Sequence, residues 1–409
     1  ARTHCGLDCS HFPVDIQQHG FWAYRTIMGT QNGVVKSLVV PDDLRKYIFD
    51  ECILWRSGDY IKDYMSEPLA FLFFKFDSKE EMNHVINIIE YMQNIDTPPL
   101  VSIFCITYNH SSYIRQCLDG FLIQKTNFPF EVLIHDDAST DDTAGIIKEY
   151  EAKYPDIIKP IYQVENQYSK GLDINIVYNL PRARGKYIAM CEGDDYWIDP
   201  LKLQKQVDFL ESHIEYGMIY SNAKIYSQDR EIFLQYSWGN KKRSTYDLLF
   251  SKTEIPTLTT VFRHNLYLEY VNDVEIMKNK WKMGDYPLWI FISSKCKIKY
   301  QDDVTAVYRE LAVSASHFKT FESNSSFLES IYHVRSFFFS YLGMKKGANR
   351  IKGEYYAGVL GCYLKYNRNL DGFRDIISKE KNAGLKIFLM KKYVKNKFFQ
   401  SFLRWRWNL

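Results

Sequence analysis

The stretch EGDD at residues 192–195 places three carboxylates close together, directly after the apolar run Tyr187–Met190. The apolar run predicts a buried strand, and Asp199 followed by Pro200 predicts the start of a helix beyond the acidic turn. Crowded carboxylates repel one another, and Mg²⁺ or Mn²⁺ relieves this repulsion while leaving coordination positions for phosphate oxygens. The stretch predicts a divalent-metal site, although in isolation a solvated acidic turn explains it equally well.

Two further acidic positions stand where a predicted element begins or ends. The run DDASTDD at residues 136–142 follows a second apolar stretch, and it either binds a ligand or caps the next helix. Asp285, in the segment MGDYPLW, stands at a predicted helix start. There the helix dipole favours an ionised carboxylate, so Asp285 is either a general base or a plain N-cap.

The elements that must position these residues alternate between strand and helix over residues 98–320. Strands are predicted at 100–106, 130–135, 157–162 and 187–190. Helices are predicted at 111–123, 172–180 and 201–212, and a further helix follows the acidic run at 136–142 and ends near residue 151. This alternation predicts an α/β fold with a mostly parallel sheet and flanking helices. Because parallel strands end at one edge, the acidic loops are expected to meet there. Further strands are predicted at 218–226, 232–235, 257–262, 297–300 and 304–308.

Two regions flank this domain. Residues 1–97 predict a small α+β accessory domain with strands at 34–40, 51–55 and 69–74 and a helix at 79–92. The order of GVVKS, RSGDYI and DSKEEMNHVINII within residues 30–95 resembles the C-terminal lobe of an ATP-grasp ligase. We interpret it as a docking module without ligase activity. Residues 321–409 predict a helical C-terminal region.

Composition narrows the function further. The net charge of +3 gives no argument for nucleic-acid binding, and no apolar run approaches the roughly 20 residues of a membrane span. The eight cysteines are scattered, several of them within apolar runs. This pattern favours reduced, buried thiols and a cytoplasmic protein.

Five motifs together resemble the inverting glycosyltransferases of family 2, which have the GT-A fold. They are VSIFCITYNHSSYI, FEVLIHDDASTDDT, GKYIAMCEGDDYW, MGDYPLW and VYRELAVSASH, in the family's order, over about residues 99–317. The resemblance implies a nucleotide-sugar donor, which we expect to be a UDP-sugar, and a divalent metal, Mn²⁺ or Mg²⁺. Glu192 departs from the family's first metal-motif aspartate but keeps a carboxylate.

The resemblance also assigns residues. It implies Asp194 as the direct metal ligand, His317 as a metal or phosphate contact, and Asp285 as the catalytic base. The nucleotide-sugar contacts that it implies are Thr107, Tyr108, Asn109, Asp136, Asp137, Lys170, Glu192, Gly193 and Asp195. Tyr108 is alternatively a core residue, and Asp195 alternatively braces the loop. Lys170 and Arg184 are expected on loops near the diphosphate.

The expected activity is transfer of a sugar to a hydroxyl of a cell-surface glycan or of a lipid-linked acceptor. A nucleotidyltransferase would also use acidic strand ends, but TYNHSS is not the Gly- and Lys/Arg-rich loop that such an enzyme needs. A binding module without turnover is the non-enzymatic alternative.

The C-terminal end has a composition of its own. From Lys381 to Leu409 there are eight basic residues and no acidic ones, and apolar residues recur at helical spacing. A basic amphipathic helix of this kind either lies on an anionic membrane, at the inner face of the cell membrane, or packs on the enzyme core.

Overall fold

The computed structural model describes residues 21–28, 33–34, 42–53, 60–61, 68–82, 85, 99–239, 244–250, 255–311, 320–380, 384–394 and 396–406. The chain divides into two units, Ala1–Pro98 and Pro99–Leu409. The assignment of three domains, with limits at residues 97 and 320, stays a prediction.

The first unit contains an antiparallel sheet with β5 in the middle. Its strands are β1 (Phe21–Met28), β3 (Ile48–Ile53) and β5 (Pro68–Phe76), in the order β1-β5-β3, and β2 (Gly33–Val34) pairs with β4 (Tyr60–Ile61). Leu72, Phe74 and Phe76 alternate along β5 and form the buried core with Leu44 and Val85. The strands predicted at 51–55 and 69–74 overlap β3 and β5, whereas β1 was not predicted. The strand predicted at 34–40 and the helix predicted at 79–92 lie largely outside the described residues.

The second unit is built on a nine-stranded mixed sheet. Its strands are β6 (Val101–Thr107), β7 (Phe130–Asp136), β8 (Ile158–Tyr162), β9 (Tyr187–Met190), β10 (Tyr196–Trp197), β11 (Tyr216–Ser227), β12 (Ile232–Trp238), β13 (Val261–Arg263) and β14 (Lys297–Glu310). They follow the order β10-β14-β11-β13-β9-β6-β7-β8, with β12 paired to β11. The strands β9, β6, β7 and β8 are mutually parallel, whereas β13 is antiparallel to β9 and β11. The α/β class is therefore confirmed, with parallel pairing along β9-β6-β7-β8 and again between β11 and β14.

Helices cover both faces of this sheet. They are Ile114–Leu122, Thr143–Lys153, Lys202–Ser212, Thr245–Phe250, His264–Asn272, Val274–Met277 and Asp285–Lys295. One buried cluster packs β6 and β7 against Cys117, Leu118 and Ile147. A second cluster lies on the other face and includes Phe104, Phe262 and Trp289.

Three sequence predictions for this unit were wrong in detail. The strand predicted at 257–262 is a 3₁₀ turn, Thr257–Thr259, followed by the short β13, because threonine hydroxyls bond nearby carbonyl groups and tighten the chain. The two strands predicted at 297–300 and 304–308 form one strand, β14, that pairs along β11. The helix predicted at 172–180 is a single π-helical turn, Asn175–Asn179, with 3₁₀ turns on either side of it in the chain.

The C-terminal part of the chain is helical, as expected. Its helices are Phe321–Tyr341, Ala348–Lys365, Leu370–Ser378, Leu385–Tyr393 and Lys397–Arg406. In the fourth of them, Ile387 and Met390 are buried, and with Val394 they pack against Leu360 and Phe373. None of the described helices combines the length and the apolar composition that a bilayer span requires.

Candidate functional site

The sheet topology brings three loops to one edge. β6 lies between β7 and β9, and the chain leaves β6 in one direction to form β7 and β8 and returns on its other side as β9. The carboxyl ends of these strands are Thr107, Asp136 and Met190, which the 192–195 turn follows. Such a switch point opens a crevice beyond the strand ends, where open α/β sheets bind ligands.

The loops after β6 and β7 are joined by hydrogen bonds. The backbone N–H of Asn109 donates to Ser139 Oγ at 2.9 Å, and Asn109 Oδ1 accepts from the backbone N–H of Thr140 at 2.7 Å. The backbone N–H of Ser111 donates to Asp141 Oδ2 at 3.0 Å. Asn109 adopts a left-handed conformation with φ of 55°, which asparagine tolerates better than most residues. Asn109 therefore links the two loops, and the exposed Tyr108 beside it is not a core residue.

The two aspartates after β7 hold different parts of the chain. Asp136 is buried and accepts a 2.5 Å hydrogen bond from Ser139 Oγ, and burial raises the pKa of its carboxyl. Asp137 accepts the backbone N–H groups of Gln167 at 2.7 Å and Tyr168 at 3.0 Å. Asp137 therefore anchors the segment that follows β8, which carries Lys170.

The 192–195 turn is packed tightly against the end of β6. A Cβ atom on Gly193 would lie 2.6 Å from Thr107 Oγ1 and 3.1 Å from His110 Nδ1, so only glycine fits there. Thr107 Oγ1, His110 Nδ1 and Asp194 Oδ1 are all buried without a hydrogen-bond partner in the protein. Such atoms are rare in folded proteins and usually have a partner outside the chain.

Asp194 and Asp195 differ in their surroundings. Asp195 is buried, and its Oδ1 accepts the backbone N–H of Arg309 at 2.7 Å. This arrangement favours the bracing role for Asp195 over a contact with the donor sugar. Asp194 uses its carbonyl oxygen to accept from Arg309 Nε at 2.8 Å, which leaves its carboxylate without that partner.

The predicted base lies at the first residue of its helix, near the acidic turn. Asp285 begins the helix Asp285–Lys295, and its Oδ2 accepts from Thr257 Oγ1 at 2.7 Å. Burial among neighbouring atoms, followed by the charges of Asp194 and Asp285, raises the pKa of Glu192 to about 8, although part of its side chain remains accessible. Asp285 therefore stands close enough to the turn for its charge to act there.

A fourth carboxylate, which sequence reasoning missed, belongs to the same group. Asp173 Oδ2 lies 2.9 Å from the position that a Cβ atom on Gly284 would occupy, immediately before Asp285. Nearby protein atoms, and then the charge of Asp285, raise the pKa of Asp173, although this residue is exposed. A lone Asp in GLDIN gave no motif, because its place depends on an irregular segment before β9.

His110 was also missed. It lies in the TYNHSS segment, and burial lowers its pKa, whereas the charges of Asp194, Asp141 and Asp136 act in the opposite direction. His110 is therefore within electrostatic range of carboxylates from both the β7 loop and the acidic turn. Its position directly after TYN was the available signal.

The three remaining basic candidates differ in their positions. Lys170 is largely exposed and pairs with Glu165. Arg184 was expected near the diphosphate, and this expectation was wrong, because Arg184 bonds Glu131 near the amino end of β7. His317 lies outside the described residues.

The residues of this site fit a magnesium or manganese ion whose remaining coordination positions are filled by a bound ligand. Within the described residues, no three His, Cys, Asp or Glu side chains converge so as to hold a metal by themselves. Asp194, however, offers a buried carboxylate oxygen that nothing in the protein satisfies. Mg²⁺ is commonly held by one or two carboxylates together with substrate phosphates.

Comparison with known proteins gives a consistent assignment. The family model described as glycosyl transferase family 2 matches residues 102–267. An uncharacterised protein of Mycobacterium tuberculosis is 43% identical over 166 residues, which are 40% of this chain and 46% of that protein. The chain thus spans about half the length of the mycobacterial relatives that it matches.

Two solved structures resemble the chain with TM-scores below 0.5. The Staphylococcus aureus protein TarS, residues 1–349, in complex with UDP-GlcNAc is 18% identical, with a TM-score of 0.47, over 74% of this chain and 81% of that one. The mannosyltransferase PcManGT of Pyrobaculum calidifontis in complex with GDP-Man and Mn²⁺ is 15% identical, with a TM-score of 0.43, over 79% and 92%.

One relative is covered over most of its length. The Escherichia coli protein WfaP is described as a UDP-Glc:alpha-D-GlcNAc-diphosphoundecaprenol beta-1,3-glucosyltransferase. It is 30% identical over 239 residues, which are 57% of this chain and 86% of WfaP. A match of this extent, together with the family model over the strands and loops described above, shows that the chain belongs to glycosyltransferase family 2.

Proposed function

We propose that this protein transfers a sugar, with inversion, from a UDP-sugar to a hydroxyl group of a glycan or of a lipid-linked acceptor. The observation that carries the proposal is that Asp194 Oδ1 and Thr107 Oγ1, both buried without a partner in the protein, lie in the turn after β9 and at the carboxyl end of β6, within electrostatic range of Glu192 and Asp285. The family membership supports glycosyl transfer over nucleotidyl transfer. The description of WfaP supports the choice of UDP and of a lipid-linked acceptor.

The donor would lie across the ends of β6 and β7. Thr107, Tyr108 and Asp136 stand at these strand ends, and an acidic group there is well placed to accept from a ribose hydroxyl or a base. Asn109 and Asp137 would contribute to the donor site indirectly, because their side chains hold the backbone of the loop after β7 and of the segment after β8. Lys170 is on the segment that Asp137 anchors, where release from Glu165 would free it for the donor.

The acidic turn would face the diphosphate. Asp194 would hold a divalent metal, Mn²⁺ or Mg²⁺, with His317 as a second candidate ligand outside the described residues. When bound, the metal neutralises negative charge that develops on the departing diphosphate. Gly193 permits the close approach of this turn to Thr107.

Asp285 would act as the general base. As the acceptor oxygen bonds to the anomeric carbon, its proton passes to the Asp285 carboxylate. The bond between that carbon and the diphosphate oxygen breaks, and its electron pair leaves with UDP. The hydrogen bond from Thr257 Oγ1 to Asp285 Oδ2 holds the carboxylate in place at the start of its helix.

Thermal unfolding with nucleotide sugars, in the presence and absence of Mn²⁺, tests the donor and the metal. We expect UDP-sugars to raise the melting temperature only when Mn²⁺ is present, and Asp194→Ala to abolish this shift. Unchanged stabilisation of Asp194→Ala would overturn the metal assignment. Stabilisation by UDP without turnover on any acceptor would instead support a binding module.

Turnover tests the base. Asp285→Asn removes the proton acceptor but keeps the side-chain volume, so we expect donor binding to persist while kcat falls by about 10²–10⁴-fold. A kcat within threefold of the wild type would exclude Asp285 as the base.

A peripheral membrane location, at the inner face of the cell membrane, would suit a lipid-linked acceptor. The helix Leu385–Tyr393 is apolar on two sides, since Ile387 and Met390 are buried while Leu385, Phe388 and Leu389 are exposed. This exposed stripe lies within the region that has basic but no acidic residues, a combination suited to anionic lipid.

Flotation of the full chain with phosphatidylserine-containing vesicles tests this location. We expect wild-type protein to float and the triple variant L385S/F388S/L389S to remain in the dense fraction. Ile214→Ser removes an apolar side chain that is more exposed than these three but lies outside the C-terminal helices, and it should float normally. Equal flotation of all three proteins would remove the assignment.

A further inference from the structure

Arg309 lies near the end of β14 and contacts the acidic turn at residues 192–195. Only 6% of its surface is exposed. We propose that Arg309 is a positioning residue that fixes the 192–195 turn so that the Asp194 carboxylate can bind the metal and the donor diphosphate. This inference rests on the proposed function, because it concerns the shape of the same turn.

Arg309 holds two consecutive residues of the turn. Its Nε donates to the carbonyl oxygen of Asp194 at 2.8 Å, and its backbone N–H donates to Asp195 Oδ1 at 2.7 Å. Both bonds connect the turn to β14, whose other contacts place it firmly in the sheet. The turn is thus held by β14 in addition to Thr107, against which Gly193 packs.

The remaining guanidinium nitrogens reach two different elements. Nη1 donates to Gln228 Oε1 and Nη2 donates to Gln116 Oε1, each at 2.6 Å. Gln116 belongs to the helix after β6, and Gln228 follows β11. Because the three acceptors lie in three directions, a planar guanidinium can serve them all, whereas the ammonium group of lysine cannot reproduce this fork.

Aromatic rings surround the guanidinium. Its central carbon lies 4.8 Å from the ring centroid of Tyr113 and 5.3 Å from that of Tyr196, and Tyr226 lies 5.7 Å away. Rings stabilise a desolvated cation and limit its movement. The acceptors for the guanidinium are neutral, so the charge of Arg309 remains to offset the repulsion between the neighbouring carboxylates of the turn.

The way in which Arg309 contacts Asp194 explains why the contact matters for a ligand. It bonds the carbonyl oxygen and leaves the carboxylate for a cation, while Asp194 Oδ1 has no partner in the protein. The direction of that carboxylate therefore depends on how firmly the backbone is held. Loss of Arg309 would release the backbone without removing a metal ligand.

Arg263 provides a matched control. It donates to the carbonyl oxygens of Tyr216 and Leu210 and lies over the ring of Tyr187, so it resembles Arg309 in bonding and stacking. Arg263 pairs with the start of β9, however, whereas the acidic turn follows the end of that strand. Its removal should lower stability without loosening the turn.

The experiment measures Mn²⁺ and UDP affinity directly, by free-Mn²⁺ electron paramagnetic resonance and by calorimetry, in Arg309→Gln, Arg309→Lys and Arg263→Gln. We expect both Arg309 variants to weaken Mn²⁺ binding in the presence of UDP at least tenfold. Arg263→Gln should stay within twofold of the wild type, although its melting temperature falls. Wild-type affinity in a folded Arg309→Gln would overturn the proposal.

Two further variants cover failure of Arg309→Gln to fold. Gln116→Ala and Gln228→Ala each remove one partner of the guanidinium, and the double variant should weaken Mn²⁺ binding more than either single variant. Unchanged affinity in the double variant would count against the proposal. If wild-type protein binds no UDP with Mn²⁺, the proposed function itself fails, which is a separate outcome from equal binding by wild type and variants.

Discussion

Two carboxylates at opposite edges of the parallel half of the sheet, those of Glu131 and Asp194, have opposite surroundings. At the amino edge, Glu131 is buried and accepts from Ser102 Oγ at 2.7 Å and from Arg184 through its backbone N–H at 3.0 Å and its guanidinium at 2.9 Å. At the carboxyl edge, Asp194 Oδ1 is buried with no partner in the protein, and the charge of Asp194 acts on Glu192 and Asp195 in the same turn.

The difference separates a structural carboxylate from one that is arranged for a ligand. A buried carboxylate that is fully hydrogen-bonded stabilises the fold and has little capacity left for anything else. A cluster of like charges without partners destabilises the free protein and gains when a cation binds. Glu131 is therefore suited to stabilise the sheet, whereas the surroundings of Asp194 leave its carboxylate available to a cation.

The largest expected effect is the difference in the free energy of unfolding between the variants Glu131→Ala and Asp194→Asn. Glu131→Ala removes the partner of Ser102, Arg184 and the backbone at once, and we expect a loss of about 2–3 kcal/mol. Arg184 is partly exposed and regains water, which keeps the loss at this level. Asp194→Asn removes like-charge repulsion, so without metal it should be as stable as the wild type or more stable. Urea unfolding at neutral pH measures both, and an equal loss in the two variants would erase the contrast between the edges.

The second prediction concerns the packing of the carboxyl edge. Gly193→Ala places a methyl group against Thr107 Oγ1 and Cβ, and overpacking of this kind costs about 1–3 kcal/mol. Displacement of the turn should reduce UDP affinity in the presence of Mn²⁺ about tenfold, which corresponds to about 1.4 kcal/mol. Calorimetric titration measures the affinity.

Gly353→Ala is the control for that substitution. Gly353 lies within a helix, and a Cβ there meets the side chain of Lys386 at 3.4 Å or more. We expect unchanged UDP affinity and a gain of about 0.5–1 kcal/mol in stability. If Gly193→Ala also kept wild-type affinity, the turn would tolerate movement, contrary to the tight packing described above.

The third and smallest effect concerns a buried cation next to the same edge. Lys202 is fully buried, with Nζ 2.8 Å from Gln206 Oε1 and over the ring of Trp197, and burial lowers its pKa to about 7. The unfolded chain keeps this proton up to a pH near 10.4, so between about pH 7 and pH 10 the unfolded state binds more protons than the folded one. Stability contributed by this residue therefore rises with pH across that window.

Lys202→Met should remove this dependence. Urea unfolding of metal-free wild type and Lys202→Met at pH 7, 8 and 9 measures the difference between the two free energies of unfolding. We expect the advantage of Lys202→Met over the wild type to shrink by up to about 1 kcal/mol per pH unit. A constant difference across the three pH values would show that Lys202 keeps its proton when buried.

Sequence patterns were informative where strong local signals coincide. The strands β6, β7, β8 and β9 were predicted because each is a short apolar run, and the acidic loops behind them follow from direct succession in the chain. The expectation that these loops share an edge needs only the parallel pairing of the strands. Asp285 at a helix start was predicted in the same way, from a local break before an apolar segment.

The residues that were missed or misplaced depend on contacts between distant parts of the chain. Arg184 bonds Glu131, 53 positions away, and no local pattern shows which edge of the sheet it reaches. Arg309 bonds Asp194 across 115 positions. β14 appeared as two strands because Gln301, Asp302 and Asp303 form a polar run, yet this segment stays in the strand that pairs with β11.

The segment between β8 and β9 is built differently from the turn that it adjoins. It passes through 3₁₀ and π-helical turns and exposes Val164, Tyr168 and Leu172, whereas the turn permits no added methyl group. Exposed positions of this segment, such as Val164, Tyr168 and Leu172, should therefore accept substitutions that Gly193 does not. These positions of the irregular crossover are the natural target for libraries that must keep the fold while changing the surface near the strand ends.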